Sequence, residues 1–183
     1  MKTKKNDLLS NKETALLGLL NEKPMHGYQL EQTIYERSMD YWSEISQSSI
    51  YKLLNKLEKI GLVKSELKLT KKNISQKVYK ISAEGKKKLK EKIIEILSKP
   101  EKMTWRIDLA IANYSLLTNK DAEECLMKYE EKLDELIKGY GNLIDYLTSV
   151  KCPINKYGLA TRPIALFKAE KLWLKDFLKS VKK

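Results

Sequence analysis

The sequence predicts a mainly α-helical protein that carries one β-hairpin, and three observations lead to this fold class. Apolar residues recur at intervals of three and four along most of the 183 residues, which is the spacing of one face of an α-helix. Residues 62–81 depart from that spacing and tend to alternate between apolar and polar. The chain holds 7 Gly and 4 Pro, too few for the turns of an all-β protein.

Two helices are expected in the first forty residues. Ser10 and Glu13 have the spacing of a capping box, so the first helix is expected to begin there and to bury the leucines that follow. A second helix is expected after Pro24, and His26 is expected to cap it or fill a buried site, because the sequence offers no partners for a metal. The predicted buried face of this helix holds Tyr28, Leu30, Ile34 and Tyr35.

A third helix is predicted from Ser46, a suitable N-cap, to Gly61, a suitable residue for the position after a helix. Its predicted buried stripe consists of Ile50, Leu53, Leu54, Leu57 and Ile60. The same period turns a polar set outward: Ser48, Lys52, Asn55 and Lys59, flanked by Tyr51 and Lys56. Taken alone, this pattern is also that of an ordinary solvated helix face.

A two-stranded hairpin is expected next, with its turn at residues 71–73. Ser82 is predicted to cap a further helix that ends near Ser98, and Pro100 closes the segment. Four lysines lie on or beside the hairpin tip: Lys68, Lys71, Lys72 and Lys77. They suit contact with phosphates, and they also suit the blunting of an exposed strand edge.

Beyond Pro100 the chain is expected to be helical, which gives domains at residues 1–98 and 99–183. A long helix is capped by Thr118 or Asn119 and ends before Pro153, and a last helix covers roughly residues 157–181. The long helix has a heptad stripe formed by Leu126, Tyr129, Leu133, Leu136, Tyr140, Leu143 and Leu147. Either a second chain or another helix of the same chain must cover this stripe, and we expect a second chain.

The net charge of +12 points to an anionic partner, with nucleic acid favoured over a membrane surface. Residues 1–98 contain 20 basic and 12 acidic side chains, a net of +8, whereas residues 99–183 contribute +4. The N-terminal half therefore has the larger basic excess.

Neither an enzyme nor a metalloprotein is indicated. Cys125 and Cys152 are far apart, no Cys/His cluster exists, and no phosphate-binding glycine loop, hydrolase motif or kinase motif occurs. We expect no catalytic residue, no metal and no cofactor. The cysteine usage, with no apolar leader or spanning segment, predicts a cytoplasmic protein that does not use a membrane.

Four segments in the N-terminal half carry a family resemblance. They are LLGLL at residues 16–20, PMHGY at 24–28, YKLLNKLEKIGL at 51–62 and VYKISAEG at 78–85. In this order they resemble the PadR family of bacterial transcriptional regulators over roughly residues 12–97. The resemblance implies a winged helix-turn-helix with a two-stranded wing, a C-terminal helical dimerisation domain, and repression from a near-palindromic operator as a homodimer.

In a winged helix, the third helix enters the DNA major groove and the hairpin is the wing. The residues then expected to contact double-stranded DNA are Ser48, Ser49, Tyr51, Lys52, Asn55, Lys56, Lys59, Lys71, Lys72 and Lys77. The alternative is a protein-interaction module that uses the winged helix as a scaffold without binding DNA.

An effector pocket is expected between the two halves of the chain. Its candidate residues are Trp105, Arg106, Asp108, Tyr114, Trp173 and Phe177. Aromatic side chains with one cation suit a small planar anion such as a phenolic acid, a ligand class that the resemblance also implies for some members. A plain hydrophobic core explains the same aromatic residues without any ligand.

Overall fold

The computed structural model describes residues 9–69, 73, 75–101 and 105–181. By its contacts the chain divides into two compact units, Met1–Lys102 and Met103–Lys183. The fold is mainly helical with one small antiparallel sheet, as predicted.

The first unit contains five helices and three strands in its described residues. They are α1 (Asn11–Glu22), β1 (Met25–His26), α2 (Gly27–Glu36), α3 (Asp40–Ser43), α4 (Ile50–Lys59), β2 (Val63–Leu69), β3 (Ser75–Ile81) and α5 (Ala83–Ser98). Their leucines and isoleucines form one continuous core, to which α1, α2, α4, the sheet and α5 all contribute.

Local side-chain caps fix where three of these helices begin. The Ser10 hydroxyl and the Glu13 carboxylate form the predicted capping box of α1. His26 Nδ1 accepts a hydrogen bond from the Gln29 backbone N–H at 3.1 Å, which confirms the expected capping role of this histidine. The Ser82 hydroxyl accepts from the Gly85 backbone N–H at 2.9 Å and so begins α5, as predicted.

The predicted buried faces of two helices are wrong in part. Leu30 and Ile34 of α2 are buried, but Tyr28 and Tyr35 are exposed, because only one side of this short helix contacts the core. Ile60 is also exposed, since α4 ends at Lys59 and the chain turns away there. Ser49 rather than Ser46 occupies the N-cap position of α4.

The end of α4 follows a Schellman motif, as expected for Gly61. Gly61 has a φ of +77°, a left-handed conformation that favours glycine. The Leu62 N–H donates to the Leu57 carbonyl at 2.9 Å, and the Gly61 N–H donates to the Glu58 carbonyl at 3.0 Å. This geometry leads directly from α4 into β2.

The sheet has the strand order β1-β3-β2, with all pairs antiparallel. The two long strands pair from Val63 opposite Ile81 to Leu69 opposite Ser75. The short strand β1 was not predicted, because two residues are too few to show alternation. It joins the predicted hairpin to the segment before α2.

The second unit contains α6 (Arg106–Ala112), α7 (Asn119–Ser149) and α8 (Ile154–Val181). Thr118 caps α7, its hydroxyl accepting from the Asp121 N–H at 3.1 Å. The long helices α7 and α8 pack against each other through a cluster that includes Leu133, Leu174 and Leu178. Among the described residues, none of the helices is long and apolar enough to cross a membrane.

Candidate nucleic-acid interface

The two sides of α4 differ sharply in polarity. One side is fully buried through Ile50, Leu54 and Leu57. The helical period turns Lys52, Asn55 and Lys59 to the opposite side, where all three are exposed. Within the described parts of the chain these three side chains make no ion pair or hydrogen bond. Their polar atoms are therefore available to an external ligand.

A short 3₁₀ turn, Gln47–Ser49, leads into α4. Ser48 is exposed, and its hydroxyl oxygen lies 3.3 Å from that of Ser46. The Ser49 hydroxyl donates to the Ser46 carbonyl at 2.7 Å and does not cap the helix. Ser48 and Ser49 therefore lie at the positive end of the α4 dipole, which attracts anions.

Tyr51 is half-exposed and packs on α2 at Gly27. A Cβ atom at Gly27 would lie 2.5 Å from Cε1 of the Tyr51 ring, so glycine is what allows this close contact. Burial, with the nearby negative charge of Glu31, raises the pKa of Tyr51 above its ordinary value. The hydroxyl therefore stays protonated at neutral pH and can donate a hydrogen bond.

Lys56 points to α1, where its Nζ lies 2.6 Å from Oε1 of Glu13. The Glu13 carboxylate is buried, and its other oxygen accepts hydrogen bonds from the backbone N–H and the hydroxyl of Ser10, both at 2.9 Å. Burial by itself would raise the pKa of Glu13, but the bonds from Lys56 and Ser10 together hold it below its usual value. Lys56 thus already has a partner inside the chain.

The hairpin is joined to α4 through Glu58. One carboxylate oxygen of Glu58 accepts a hydrogen bond from the Ser65 hydroxyl of β2, and the other pairs with Lys77 Nζ of β3 at 2.6 Å. These bonds, that from Lys77 first, lower the pKa of Glu58. Lys77 also lies over the Tyr79 ring, 5.2 Å from its centroid. Lys77 is therefore engaged within the chain.

The remaining wing lysines fall into two groups. Lys71 and Lys72 lie outside the described residues. Lys68 is exposed on the outer face of β2, where its Nζ pairs with Glu66 at 2.7 Å. Of the predicted DNA-contacting set, the structure brings together Ser48, Ser49, Tyr51, Lys52, Asn55 and Lys59 on and before α4.

The heptad stripe of α7 divides into two series seven residues apart. Leu126, Leu133, Tyr140 and Leu147 form the first series. Leu126 and Leu133 pack in the cluster with α8, and the Tyr140 ring lies 5.8 Å from that of Phe167. In the second series Tyr129 joins the α8 cluster, whereas Leu136 and Leu143 are 44% and 42% exposed. Leu126, Leu133 and Tyr140 of the first series therefore have a partner within the chain, which the sequence alone did not reveal.

A pocket of about 230 Å³ lies within the second unit. Its described lining is Trp105, Ile107, Asp108, Ile111, Glu170 and Trp173. The predicted pocket residues Trp105 and Trp173 are thus brought together, while Arg106 is exposed and is absent from the described lining. Tyr114 instead contacts Phe177 edge-on at 5.9 Å, and Phe177 stacks on Trp173 at 5.1 Å.

Three acidic residues with a part in these sites could not be assigned from sequence. Glu13 was predicted only as a cap, and its bond to Lys56 spans 43 positions without any local signal. The partners of Glu58 lie on strands β2 and β3, so no spacing along α4 indicates its bonds to them. Glu170 belongs to a helix whose contacts depend on how α8 packs.

Comparison with known proteins agrees with this arrangement. Residues 16–91 match the Transcriptional regulator PadR-like family. The negative transcriptional regulator PadR of Bacillus subtilis (strain 168) is 24% identical over 176 residues, covering 92% of this chain and 96% of that protein.

Two solved structures share the fold. The crystal structure of Bacillus subtilis PadR in complex with operator DNA has a TM-score of 0.78 and 21% identity, covering 92% of this chain and 98% of that chain. The structure of the same protein in complex with p-coumaric acid has a TM-score of 0.78 and 22% identity, covering 94% and 96%. The family and this relative are transcriptional regulators rather than enzymes. Residues 16–91 of this chain therefore form a domain of the PadR-like transcriptional regulator family.

Proposed function

We propose that this protein is a cytoplasmic, dimeric, sequence-specific DNA-binding repressor of a near-palindromic operator. The observation that carries the proposal is the outward face of α4, where Lys52, Asn55 and Lys59 are exposed and unpaired within the described residues. The fold shared with a PadR that is known in complex with operator DNA supports DNA binding by this protein.

The side chains on α4 suit the reading of base edges. Asn55 offers an amide that can donate to and accept from adenine, and Lys52 can donate to guanine in the major groove. Lys59, further along the helix from Ser48, suits contact with phosphates, as do Ser48 and Ser49. The positive end of the α4 dipole adds to the attraction of a phosphate near Ser48.

We assign Lys56, Lys77 and Tyr51 a different role within the same interface. Lys56 and Lys77 are held by Glu13 and Glu58, so they position α4 and the wing rather than act as free cations. Tyr51 is half-exposed with its ring and hydroxyl against α2 at Gly27, and this protonated hydroxyl suits donation to a phosphate that approaches α4 and α2.

The second copy is proposed to pack on the exposed series of the α7 stripe, which continues from Leu136 and Leu143 to the exposed Val150. Apolar residues seven apart on one helix form a narrow seam that suits another helix. Two α4 helices in such a dimer would read half-sites about one turn of DNA apart, roughly 34 Å.

We further propose that a small aromatic effector releases the DNA by binding in the pocket of the second unit. Tryptophan and isoleucine side chains line this pocket, as in many small-molecule sites. The PadR known in complex with p-coumaric acid supports an aromatic ligand for a protein of this fold.

Removal of the α4 face tests DNA binding directly. In the variant Lys52→Ala/Asn55→Ala/Lys59→Ala we expect a loss of operator affinity of at least about a hundredfold, since each base contact contributes roughly 1–3 kcal/mol. Footprinting of the DNA upstream of the protein's own gene would first locate the bound site, and fluorescence anisotropy with that site would then measure the affinity. The slope of the logarithm of the binding constant against the logarithm of the salt concentration should become less negative by about two, because two lysines are lost.

A matched control removes the same residue types from α7. The variant Lys128→Ala/Lys138→Ala/Asn142→Ala changes the net charge equally, at exposed positions, and should leave operator affinity within about threefold. Equal losses in both triple variants would mean that only net charge matters. If no duplex binds with salt-dependent affinity, the alternative of a protein-interaction module replaces the DNA-binding proposal.

A further inference from the structure

The pocket of the second unit is lined by two indole rings and two carboxylates. Trp105, in an extended conformation, is the N-cap residue of α6, and Asp108 lies in the first turn of that helix. Glu170 and Trp173 are three residues apart on α8, a spacing that places them on one side of the helix. The start of α6 and this side of α8 each contribute one indole and one carboxylate to the same cavity, and Ile107 and Ile111 complete its described lining.

The indole of Trp173 is held in place by its neighbours. It stacks on the Phe177 ring with an interplanar angle of 16°, and Tyr114 contacts Phe177 edge-on. A fixed aromatic face costs less side-chain entropy when a ligand stacks on it than a mobile one does.

The two carboxylates are not neutralised by nearby lysines. Within the described residues neither Asp108 nor Glu170 forms an ion pair, although the chain has a large excess of lysine. Lys171, the neighbour of Glu170, pairs instead with Asp134 and, at 3.5 Å, with Glu130. The Tyr129 hydroxyl donates to Glu170 Oε1 at 3.3 Å, which orients that carboxylate without cancelling its charge.

The charge of this lining argues against an anionic ligand. A phenolic acid would place its carboxylate among two like charges, with no cation in the described lining to offset them. Aromatic rings and carboxylates together are the groups that bind organic cations, through the ring faces and through direct charge attraction. A volume of about 230 Å³ has room for a ligand of about two fused rings.

We propose that the pocket between α6 and α8 binds a planar aromatic cation, with the rings against Trp105 and Trp173 and the charge beside Asp108 and Glu170. This proposal rests on the proposed function only for its consequence, release of DNA. The binding itself is independent of whether the protein binds DNA.

The test is isothermal titration calorimetry of the full chain at pH 7.5 with three ligands of one shape. These are the cation 1-methylquinolinium, the neutral quinoline and the anion 2-naphthoate, which share a planar two-ring aromatic system and differ in charge and in one small substituent. We expect the cation to bind more tightly than the neutral ring, and the anion to bind most weakly. Binding of 2-naphthoate as tight as that of the cation, or no binding of the cation, overturns the proposal.

The variant Asp108→Asn/Glu170→Gln separates charge from shape. It should weaken the affinity for 1-methylquinolinium by about tenfold or more and leave the affinity for quinoline unchanged. The attraction between the carboxylates and the cation is lost, while the contacts with the rings remain. The amide oxygen introduced by Glu170→Gln can still accept from Tyr129, so the fold is preserved. The control Glu124→Gln/Asp145→Asn removes two exposed carboxylates of α7 outside the pocket and should leave cation binding as it is. An equal loss in both variants would assign the effect to net charge and overturn the site.

Adding 1-methylquinolinium to the operator-binding assay then tests the consequence. Release of DNA from the unmodified chain, but not from Asp108→Asn/Glu170→Gln, links the pocket to regulation. Cation binding without any change in operator affinity overturns that link while the ligand assignment stands. Failure of DNA binding in the absence of ligand concerns the proposed function alone.

Discussion

Glu13 shows how one buried carboxylate can hold in place α4, the helix proposed to contact DNA. It is 3% exposed, and it connects the start of α1 with Lys56 on α4. A carboxylate buried this deeply is stable only when its oxygens are bonded, and the bonds here come from Ser10 and Lys56. The ion pair therefore fixes the position of α4 against α1, and in the proposed complex it would act on DNA binding through that position.

The variant Glu13→Gln should lower the free energy of unfolding at pH 7 by about 1–3 kcal/mol, because a charged partner of Lys56 is lost from a buried site. The pKa of Glu13 is lowered in the folded protein, so its ionised form stabilises the fold above the unfolded pKa of about 4.3. That stabilisation is lost as the pH falls through the folded pKa. The difference between Glu13→Gln and the unmodified protein should accordingly shrink below about pH 4.

Urea unfolding at pH 7, 5, 4 and 3 measures this, with exposed Glu124→Gln as the control that should stay close to the unmodified protein throughout. A Glu13→Gln deficit that is the same at pH 3 as at pH 7 would contradict the role given to the ionised carboxylate.

At the scale of elements, the junction between α4, β2 and α5 depends on Gly85. A Cβ atom at this position would lie 2.1 Å from the Leu62 carbonyl oxygen, which is backbone and has little room to move. The same carbonyl accepts from the Ser82 N–H at 3.0 Å, and the Ser82 hydroxyl donates to the Gly61 carbonyl at 2.7 Å. The start of α5 is thereby locked to the end of α4.

Gly85→Ala should destabilise the protein by about 3 kcal/mol, because the added methyl group forces the two backbone segments apart. Gly18→Ala is the matched control, since Gly18 is also helical and has no atom within 4 Å of its hypothetical Cβ. That change should stabilise the protein by about 0.5–1 kcal/mol through helix propensity. Thermal and urea unfolding would decide, and equal effects at the two glycines would refute the proposed close approach.

The elements also show what the sequence can and cannot determine. The caps at Ser10, His26, Ser82 and Thr118 and the turn at Gly61 were predictable, since each depends on residues within five positions. Contacts across longer separations, such as Glu13 with Lys56 or Glu58 with Lys77, produce no repeating pattern in the sequence from which they could be predicted. The outward face of α4 was also predictable from nearby residues. The helical spacing of its buried apolar residues determines which side chains face outward.

At the scale of the whole molecule, the α7 stripe illustrates why a heptad does not by itself specify its partner. Any apolar helix face of the right geometry can cover such a stripe, and α8 covers part of it within the chain, most of the first series and Tyr129 of the second. The sequence contains no feature that assigns one series to α8 and the other to a second copy. Only the packed structure separates them.

Leu136→Gln/Leu143→Gln should convert the proposed dimer to monomer at micromolar concentration, because two apolar anchors of the exposed seam are lost at roughly 1–3 kcal/mol each. Lys128→Gln/Lys138→Gln, at exposed positions of the same helix, should remain dimeric. Light scattering coupled to size-exclusion chromatography would measure the mass. A dimer that survives the leucine changes would place the interface elsewhere.

The bonds from Glu58 to Ser65 and Lys77 have a consequence for how the binding preference of such a protein can change. They join α4 to both strands of the hairpin, so the distance between α4 and the hairpin is fixed. In the proposed complex with DNA, exchanges at Lys52 and Asn55 would alter which bases are preferred, while the spacing between the bases under α4 and those under the hairpin would stay the same.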